Sequence, residues 1–393
     1  FNLYASFQNT ARKSYYGSHE DPKAYGTTHD ITVASGAQYV RTFGRLGFMP
    51  AELTLGVEYS YDGLEDESLG YGIRTDQNVH ILSAYLQNEW KTGRWSLLLG
   101  GRVDKHNLVA HAIFSPRVNV RFNPTEDVNL RVSYAGGFRA PQAFDEDMHI
   151  SIAGGERVRI RLADDLREER SNSFSASADL YHRFGGVQAN LLVEGFYTML
   201  DDVFSLRALP DKDESGNTVK ERYNGSGATV QGLNFEGKAA FTRWFSLQAG
   251  FTLQQSRYAE PEQWSEDPEV PPVRRMFRAP DTYSYFTASF GPLCNFTADL
   301  TGTYTGRMLV QHMAGSGTAT DTAVETPSFW DVNLKLSYDI RLHDRITLQL
   351  NGGVQNLFDA YQRDFDRGAD RDSGYIYGPS LPRSWFAGAK LSF

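Results

Sequence analysis

The chain has 393 residues, a net charge of −9 and a single cysteine, Cys294. The acidic balance excludes the broad basic surface that nucleic-acid binding requires, and one cysteine excludes an intrachain disulfide. The mean hydropathy is −0.45, and no apolar run approaches the roughly 18 to 20 residues of a membrane helix. A membrane-spanning β-strand escapes this test because only every second residue faces lipid, and 13% aromatic residues suit the girdles of such a barrel.

Alternation of apolar and polar residues begins at Phe1, with no signal peptide before it, so we expect the natural N-terminus to lie upstream. The clearest alternating segments are 117–122, 127–135, 330–340, 345–355 and 384–393. We predict that one set of side chains faces lipid: Val332, Leu334, Leu336, Ile346, Leu348 and Leu350. The interleaved set is predicted to face a polar lumen: Asn333, Lys335, Thr347 and Gln349.

Connections of two lengths separate these segments, which is typical of outer-membrane barrels with short turns on one rim and long loops on the other. The short turns are predicted at 91–94, 123–127, 184–186, 242–244, 291–294 and 342–345. The long loops are predicted at 13–26, 62–77, 105–112, 139–168, 207–221, 259–279, 312–326 and 359–382. We therefore predict about sixteen antiparallel strands in one all-β domain, residues 1–393, with no helix.

The C-terminal residue, Phe393, ends an uninterrupted alternating strand. A terminal aromatic is typical of bacterial outer-membrane barrels, whose last strand must close the sheet in lipid.

Several motifs resemble those of the TonB-dependent outer-membrane receptors. They are 115–122 (SPRVNVRF), 129–134 (NLRVSY), 138–141 (FRAP), 163–169 (ADDLREE), 354–359 (VQNLFD) and 375–383 (YIYGPSLPR). One departure is Ala163-Asp164, where the family usually has Asn-Pro. The resemblance implies a 22-stranded transmembrane barrel around an N-terminal plug. Because about sixteen strands and no plug-like segment are found here, we expect the C-terminal portion of such a receptor.

The resemblance also implies a function in the bacterial outer membrane. Such receptors bind a scarce, bulky nutrient and import it when the TonB complex pulls on the plug. The expected ligand is a metal chelate, either a ferric siderophore or a corrinoid such as vitamin B12, with haem as an alternative. Expected partners include outer-membrane lipids, lipopolysaccharide and a surface lipoprotein. Two other classes stay open: a passive sixteen-strand porin, and a barrel enzyme, although no catalytic motif or Cys/His metal spacing is visible.

The candidate ligand-binding residues lie in the loops 139–168, 259–279 and 359–382: Arg139, His149, Trp264, Tyr375 and Tyr377. Haem receptors of this family use a histidine in the loop that contains His149, and imidazole is a suitable axial ligand for haem iron. Arg139 is expected to pair with lumen carboxylates. The aromatic residues offer stacking surfaces for a flat ligand.

Two further groups of residues are candidate metal sites. Acidic loop residues offer hard oxygen ligands for Ca²⁺, although solvated loops are the favoured interpretation: Asp62, Glu65, Asp66, Glu67, Asp364, Asp366, Asp370 and Asp372. His106 and His111 lie near one hairpin tip and are expected to be solvated rather than to form a metal pair. No resident cofactor is expected.

Overall fold

A computed structural model describes residues 1–15, 25–68, 72–141, 158–214, 216, 218–368, 371–372 and 374–393. The described residues form 22 β-strands and no α-helix, which confirms the all-β prediction. Within this described part, no helix is long and apolar enough to cross a membrane.

Sixteen strands form the wall. They are β1 (Asn2–Tyr15), β2 (Tyr25–Leu46), β3 (Met49–Ser68), β4 (Ile73–Lys91), β5 (Trp95–His106), β6 (Ile113–Thr125), β7 (Val128–Arg139), β9 (Glu169–Phe184), β10 (Val187–Asp201), β13 (Ala228–Thr242), β14 (Phe245–Glu262), β16 (Thr282–Leu293), β17 (Phe296–Thr305), β20 (Phe329–His343), β21 (Ile346–Gln355) and β22 (Ser384–Ser392). Six short strands lie in the long loops: β8 (Val158–Leu162), β11 (Phe204–Ala208), β12 (Thr218–Asn224), β15 (Val273–Arg275), β18 (Leu309–His312) and β19 (Thr322–Glu325).

Each wall strand pairs antiparallel with the next wall strand along the chain, from β1 to β22. This meander arises because alternating strands joined by two- or three-residue turns pair most easily with their chain neighbours. The predicted count of about sixteen strands is confirmed. The first and last wall strands, β1 and β22, are both described and do not pair with each other.

The two faces of the wall differ in polarity. In register, Leu334 lies opposite Leu300 and Val354, whereas Lys335 lies opposite Asp299. The polar face also carries cross-strand hydrogen bonds: Gln349 Nε2 donates to Asp339 Oδ1 at 2.8 Å and Ser289 Oγ donates to Asp299 Oδ1 at 2.7 Å. In an outer-membrane barrel the apolar face meets lipid and the polar face lines the lumen.

Aromatic residues mark the two edges of the apolar face. On β20, Trp330 and Tyr338 point to the same face and lie eight residues apart, which corresponds to about 26 Å at 3.3 Å per residue. With a strand tilt of about 40°, this spacing corresponds to about 20 Å along the membrane normal, close to the apolar band of about 25 Å that outer-membrane barrels present to lipid. Stacked pairs stand at the short-turn edge, including Trp95 with Phe122 at 4.3 Å between ring centroids. The short turns and long loops therefore lie on opposite sides of the bilayer.

The structure differs from the predicted connections at two places. The acidic residues Asp62, Glu65, Asp66 and Glu67 belong to strand β3, not to a loop, because pairing with β2 and β4 continues to Ser68. A short turn at 47–48 was missed, where Gly47 adopts a φ of 69° that glycine allows without a Cβ clash.

Candidate ligand-binding site

Three long loops pack together above the wall. They are 263–281, 306–328 and 356–383, and the second contains the hairpin of β18 and β19. Their shared core consists of buried side chains from two of these loops, with Val324 and Phe329 packed against them: Met308, Val310, Tyr375 and Tyr377. Burial of this apolar surface gives the loops a hydrophobic core of their own, which contacts the wall through Phe329 at the start of β20.

A carboxylate joins the two tyrosines of this core. Tyr375 and Tyr377 are only 3% and 9% exposed. Their hydroxyls donate to the two oxygens of Asp364, at 2.9 and 2.7 Å. Burial raises the pKa of Tyr375 to about 12, and the carboxylate of Asp364 adds to the rise. Burial alone would raise the pKa of Asp364, but the hydrogen bonds from Tyr377 and Tyr375 outweigh it and hold that pKa below its usual value.

A buried histidine–aspartate pair holds the loop 306–328 against the loop 356–383. The ring of His312 stacks on Tyr375 with 3.8 Å between centroids and an interplanar angle of 5°. His312 Nε2 lies 3.0 Å from Asp366 Oδ1. Asp366 Oδ2 also accepts a hydrogen bond from the backbone N–H of Asp372 at 3.0 Å, and Asp372 Oδ2 accepts one from Met313 N at 2.7 Å.

The third loop is attached through Arg278. Its guanidinium donates to the backbone carbonyls of Gly374 and Ile376, the latter at 2.8 Å, and its own N–H donates to Leu309 O at 2.8 Å. Arg278 has a φ of 57°, a left-handed conformation that is uncommon for a residue with a Cβ and persists where surrounding contacts fix it. The three loops therefore form one connected unit, which we call the rim assembly.

Arg139 lies at the end of β7, apart from the rim assembly. Its guanidinium makes two hydrogen bonds to its cross-strand partner Glu169, at 2.6 and 2.9 Å, and lies 4.9 Å from the ring centroid of Phe204. The expected pairing of Arg139 with a carboxylate is therefore confirmed. Nearby, β8 pairs parallel with β12 and β11 pairs antiparallel with it, which joins the loops 140–168 and 202–227.

The structure brings together only some of the predicted candidates. Tyr375 and Tyr377 are neighbours inside the rim assembly, where their rings support the loops and offer little surface to a ligand. Trp264, in the loop 263–281, packs edge-on against Phe277 at 5.3 Å and donates Nε1–H to Pro271 O at 3.3 Å. His149 lies outside the described residues. Ligand contact by these residues stays a prediction.

The other candidate metal groups are engaged in internal contacts. His106 is fully buried, contrary to the expectation of a solvated residue, because Leu108 N–H donates to its Nδ1 at 3.0 Å and the loop folds over it. His111 pairs with Glu168 at 3.0 Å. Asp364, Asp366 and Asp372 each accept protein hydrogen bonds, and the described residues contain no His/Cys/Asp/Glu group arranged to hold a metal ion. Asp370 lies outside the described residues, so loop calcium stays a prediction.

The sequence did not indicate which side chains join the loops, although Asp366 stands among the acidic calcium candidates. His312, Asp366 and Arg278 come from three loops and meet only after the wall has positioned them, so no local spacing reveals them. The one weak signal is the density of aspartate and tyrosine between 359 and 382, a pattern that predicts solvated carboxylates and ligand stacking equally well.

The meander wall, the two polarities of its faces and the loop-bearing rim define an outer-membrane β-barrel. A family model described as "TonB dependent receptor-like, beta-barrel" matches residues 1–357. The chain belongs to this family, which resides in the bacterial outer membrane and comprises receptors rather than enzymes. No curated protein matches the sequence.

Solved structures of iron-related receptors share the fold. The siderophore receptor PirA from Acinetobacter baumannii has a TM-score of 0.69 and 17% identity, over 100% of this chain and 60% of that chain. A mutant of the ferric enterobactin receptor PfeA from Pseudomonas aeruginosa has a TM-score of 0.70 and 17% identity, over 99% of this chain and 59% of that chain. The FrpB iron transporter from Neisseria meningitidis has a TM-score of 0.69 and 15% identity, over 98% of this chain and 59% of that chain. The chain therefore spans about 60% of the length of these receptors.

Proposed function

We propose that this chain supplies the wall, lumen and capture loops of a TonB-dependent importer of a metal chelate, with a ferric siderophore as the first candidate and a corrinoid as the second. The observation that carries the proposal is the rim assembly, in which three long loops are fixed by shared contacts. A preorganised surface loses little conformational freedom on binding, which favours tight capture of a scarce ligand. The names of the structural neighbours support the siderophore choice.

The proposal includes energy coupling through the TonB complex. The contact with that complex is assigned to a plug domain outside this chain, in line with the 60% of PirA that the chain covers. Movement of such a plug would open a path along the polar face of the wall.

A passive sixteen-strand porin is the less favoured alternative. Both terminal wall strands are described, and β1 does not pair with β22, so these sixteen strands alone do not close the wall that a pore requires. A porin would also give uptake that does not depend on the proton gradient.

The test is uptake by cells that lack the chromosomal gene and carry the full-length gene on a plasmid. Radiolabelled iron is supplied as a catecholate or a hydroxamate siderophore, and haem and cobalamin are supplied in parallel. We expect saturable uptake of one siderophore class that a protonophore abolishes. Uptake that is unsaturable and insensitive to the protonophore would contradict the proposal and favour the porin.

A matched pair of variants tests the role of the rim assembly. Arg278→Ala removes the two guanidinium contacts to Gly374 and Ile376, whereas Arg345→Ala changes an exposed arginine in a short turn on the opposite side. We expect Arg278→Ala to raise the Kd for the ligand and Arg345→Ala to leave it unchanged. Equal affinity in both variants would contradict a role for the rim assembly in capture.

Haem is tested through His149. If haem is the ligand, His149→Ala removes an iron-ligating imidazole and weakens haem binding markedly. A siderophore or corrinoid already saturates its metal, so the same change leaves binding of either chelate unaltered.

A further inference from the structure

Aromatic and arginine side chains alternate on one exposed face of the loop 356–383, and we call them the aromatic–arginine stripe: Tyr361, Arg363, Phe365 and Arg367. The guanidinium carbon of Arg363 lies 5.4 Å from the ring centroid of Tyr361. That of Arg367 lies 5.4 Å from the ring centroid of Phe365. Both distances are within the range of a cation–π interaction. The stripe therefore repeats one unit twice along the chain, a flat ring that carries a positive charge.

The residues between these four hold the stripe in place. Gln362 Nε2 donates to Tyr375 O at 3.1 Å, and Asp366 Oδ1 lies 3.0 Å from His312 Nε2. Asp364 accepts the two tyrosine hydroxyls described above. Successive side chains of an extended segment point to opposite sides. Because Gln362, Asp364 and Asp366 face the core of the rim assembly, the stripe faces away from that core.

One end of the stripe lies beside the lipid-facing wall. Trp330 marks the long-loop edge of the apolar face, and Phe358 follows three residues after the end of β21. Tyr361 and Arg363 line a cavity of about 570 Å³ together with these two residues. Phe358 is 65% exposed and Trp330 is 41% exposed. Exposed aromatic surface is unfavourable in water, whereas aromatic side chains are enriched where a membrane meets water.

The arginines of the stripe are available to an anion. Arg363 Nη2 donates to Asp359 Oδ2 at 3.3 Å, but the Arg363 side chain is 71% exposed and retains further N–H donors. An exposed ion pair of this kind contributes little free energy. Arg367 stacks on its neighbouring ring and forms no ion pair within the described part of the chain. The carboxylates of Asp364 and Asp366 are held by hydrogen bonds on the opposite side.

We propose that the aromatic–arginine stripe binds the phosphate-bearing headgroup of an anionic lipid in the outer leaflet of the membrane. Guanidinium groups match phosphate oxygens in charge and geometry and bind them through paired hydrogen bonds. In this arrangement the rings of Tyr361 and Phe365 lie among the headgroups, where aromatic side chains are stabilised. A free phosphate would occupy the arginines and leave the rings in water, whereas a lipid covers both. The cavity beside Trp330 then receives the part of the lipid below its phosphate.

This lipid site is separate from capture of the imported chelate, because the stripe faces away from the core that joins the three loops. The proposal therefore does not depend on which chelate is imported, and it requires only the outer-membrane location of the family. A bound lipid tethers the loop 356–383 to the membrane, so it adds to the contacts that fix the rim assembly.

A binding measurement with a matched control tests the proposal. The full-length receptor is purified in detergent micelles, and its Kd for lipid A, which carries phosphate, is measured by native mass spectrometry. We compare the wild type with Arg363→Gln/Arg367→Gln and with Arg341→Gln/Arg345→Gln, which changes two exposed arginines on the short-turn side. Each basic residue near an anionic lipid surface strengthens binding by about fivefold, so we expect the first variant to bind about 30 times more weakly. The control variant should retain the wild-type Kd.

Two further variants and a competitor define the chemistry of the site. Arg363→Lys/Arg367→Lys keeps both charges and should retain most of the affinity for lipid A, which also guards against a glutamine variant that does not fold. Tyr361→Ala/Phe365→Ala should weaken lipid A binding, because it removes the rings that the headgroup covers. Inorganic phosphate should not displace lipid A from the wild type. Displacement would indicate a site for a soluble anion and would overturn the proposal.

The outcomes separate the lipid site from the import function. An equal loss of lipid A binding in both glutamine variants would show an unspecific attraction to positive charge and would overturn the proposal. Unchanged lipid A binding in Arg363→Gln/Arg367→Gln would also overturn it, and reduced uptake of radiolabelled iron in that variant would then assign the stripe to the imported chelate. Weaker lipid A binding with saturable uptake retained supports the lipid site and leaves the proposed import function standing.

Discussion

Replacement of Asp364 by alanine is expected to loosen the rim assembly without unfolding the wall. The change removes the acceptor that the buried hydroxyls of Tyr375 and Tyr377 share, at 2.9 and 2.7 Å. A hydrogen bond to a charged group contributes about 1.5 to 3 kcal/mol. Asp364 itself is exposed, so water reaches part of the vacated space, and we discount each hydrogen bond to about 1 to 1.5 kcal/mol. The expected cost for the two hydroxyls together is about 2 to 3 kcal/mol.

This free energy converts into a measurable change in loop opening. At 1.4 kcal/mol per factor of ten, the loops of the Asp364→Ala variant should open about 30 to 150 times more often. Hydrogen exchange of backbone amides reports such local opening. We expect faster exchange at Leu309–His312, whose strand packs on the tyrosines, and unchanged exchange in β13 and β14.

Two further variants separate the acceptor from the hydroxyls. Asp364→Asn keeps one carbonyl oxygen and can serve only one tyrosine, so it should give about half of the effect. Tyr375→Phe/Tyr377→Phe removes both donors and leaves no buried hydroxyl unpaired, so it should cost less than Asp364→Ala. Unaltered exchange at 309–312 in Asp364→Ala would refute the reasoning, because it would show that the carboxylate is not needed to keep the two tyrosines packed against Val310.

The remaining predictions concern pH, lipid contact and assembly. The pKa of Tyr375 is raised to about 12, so the protonated hydroxyl contributes stability that is complete below pH 10 and is lost as pH rises through 12. The protection of rim-assembly amides against hydrogen exchange should fall in that pH interval. Constant protection up to pH 12 would contradict this prediction. Leu334→Arg on the apolar face should cost about 2 to 4 kcal/mol near the bilayer midplane in urea unfolding from lipid vesicles, whereas Lys335→Arg on the polar face should cost little; equal costs would reverse the assignment of the faces. Deletion of Phe393 should reduce the amount of receptor at the cell surface, measured by surface labelling, without changing the ligand affinity of assembled molecules; normal surface levels would argue against a role in assembly.

Sequence alone predicted the wall well because each wall strand encodes its own two faces. The alternation around Lys335 and the motif at 354–359 specified neighbouring strands, and the register pairs Leu334 with Val354 accordingly. Short turns were visible for the same reason, since a change of direction interrupts a strict period of two. The position at which a strand ends is harder to predict from sequence. The acidic residue Asp66 suggests a loop, yet it lies within β3, where the hydroxyl of Thr28 on β2 donates a hydrogen bond to it at 2.6 Å.

The rim assembly was beyond sequence reasoning. Asp366 and His312 are 54 residues apart along the chain, and their contact depends on where the wall places the two loops. Tyr375 and Tyr377 are aromatic residues in a long loop, and sequence carries no signal that distinguishes a ring stacked on a ligand from one stacked on His312.

The strands of the wall differ greatly in length, and this gives the receptor a high side and a low side. β2 and β3 contain 22 and 20 residues, which correspond to about 73 and 66 Å of strand, whereas β21 and β22 contain 10 and 9 residues, about 33 and 30 Å. A tilted strand needs only about 9 to 11 residues to cross a bilayer. The surplus of β2 and β3, paired on either side with the ends of β1 and β4, therefore extends beyond the bilayer as a stiff sheet on the long-loop side. A molecule that approaches the long-loop rim therefore meets a raised sheet on the side of β2 and β3 and a lower edge on the side of β21 and β22, where the loop that precedes β22 belongs to the rim assembly.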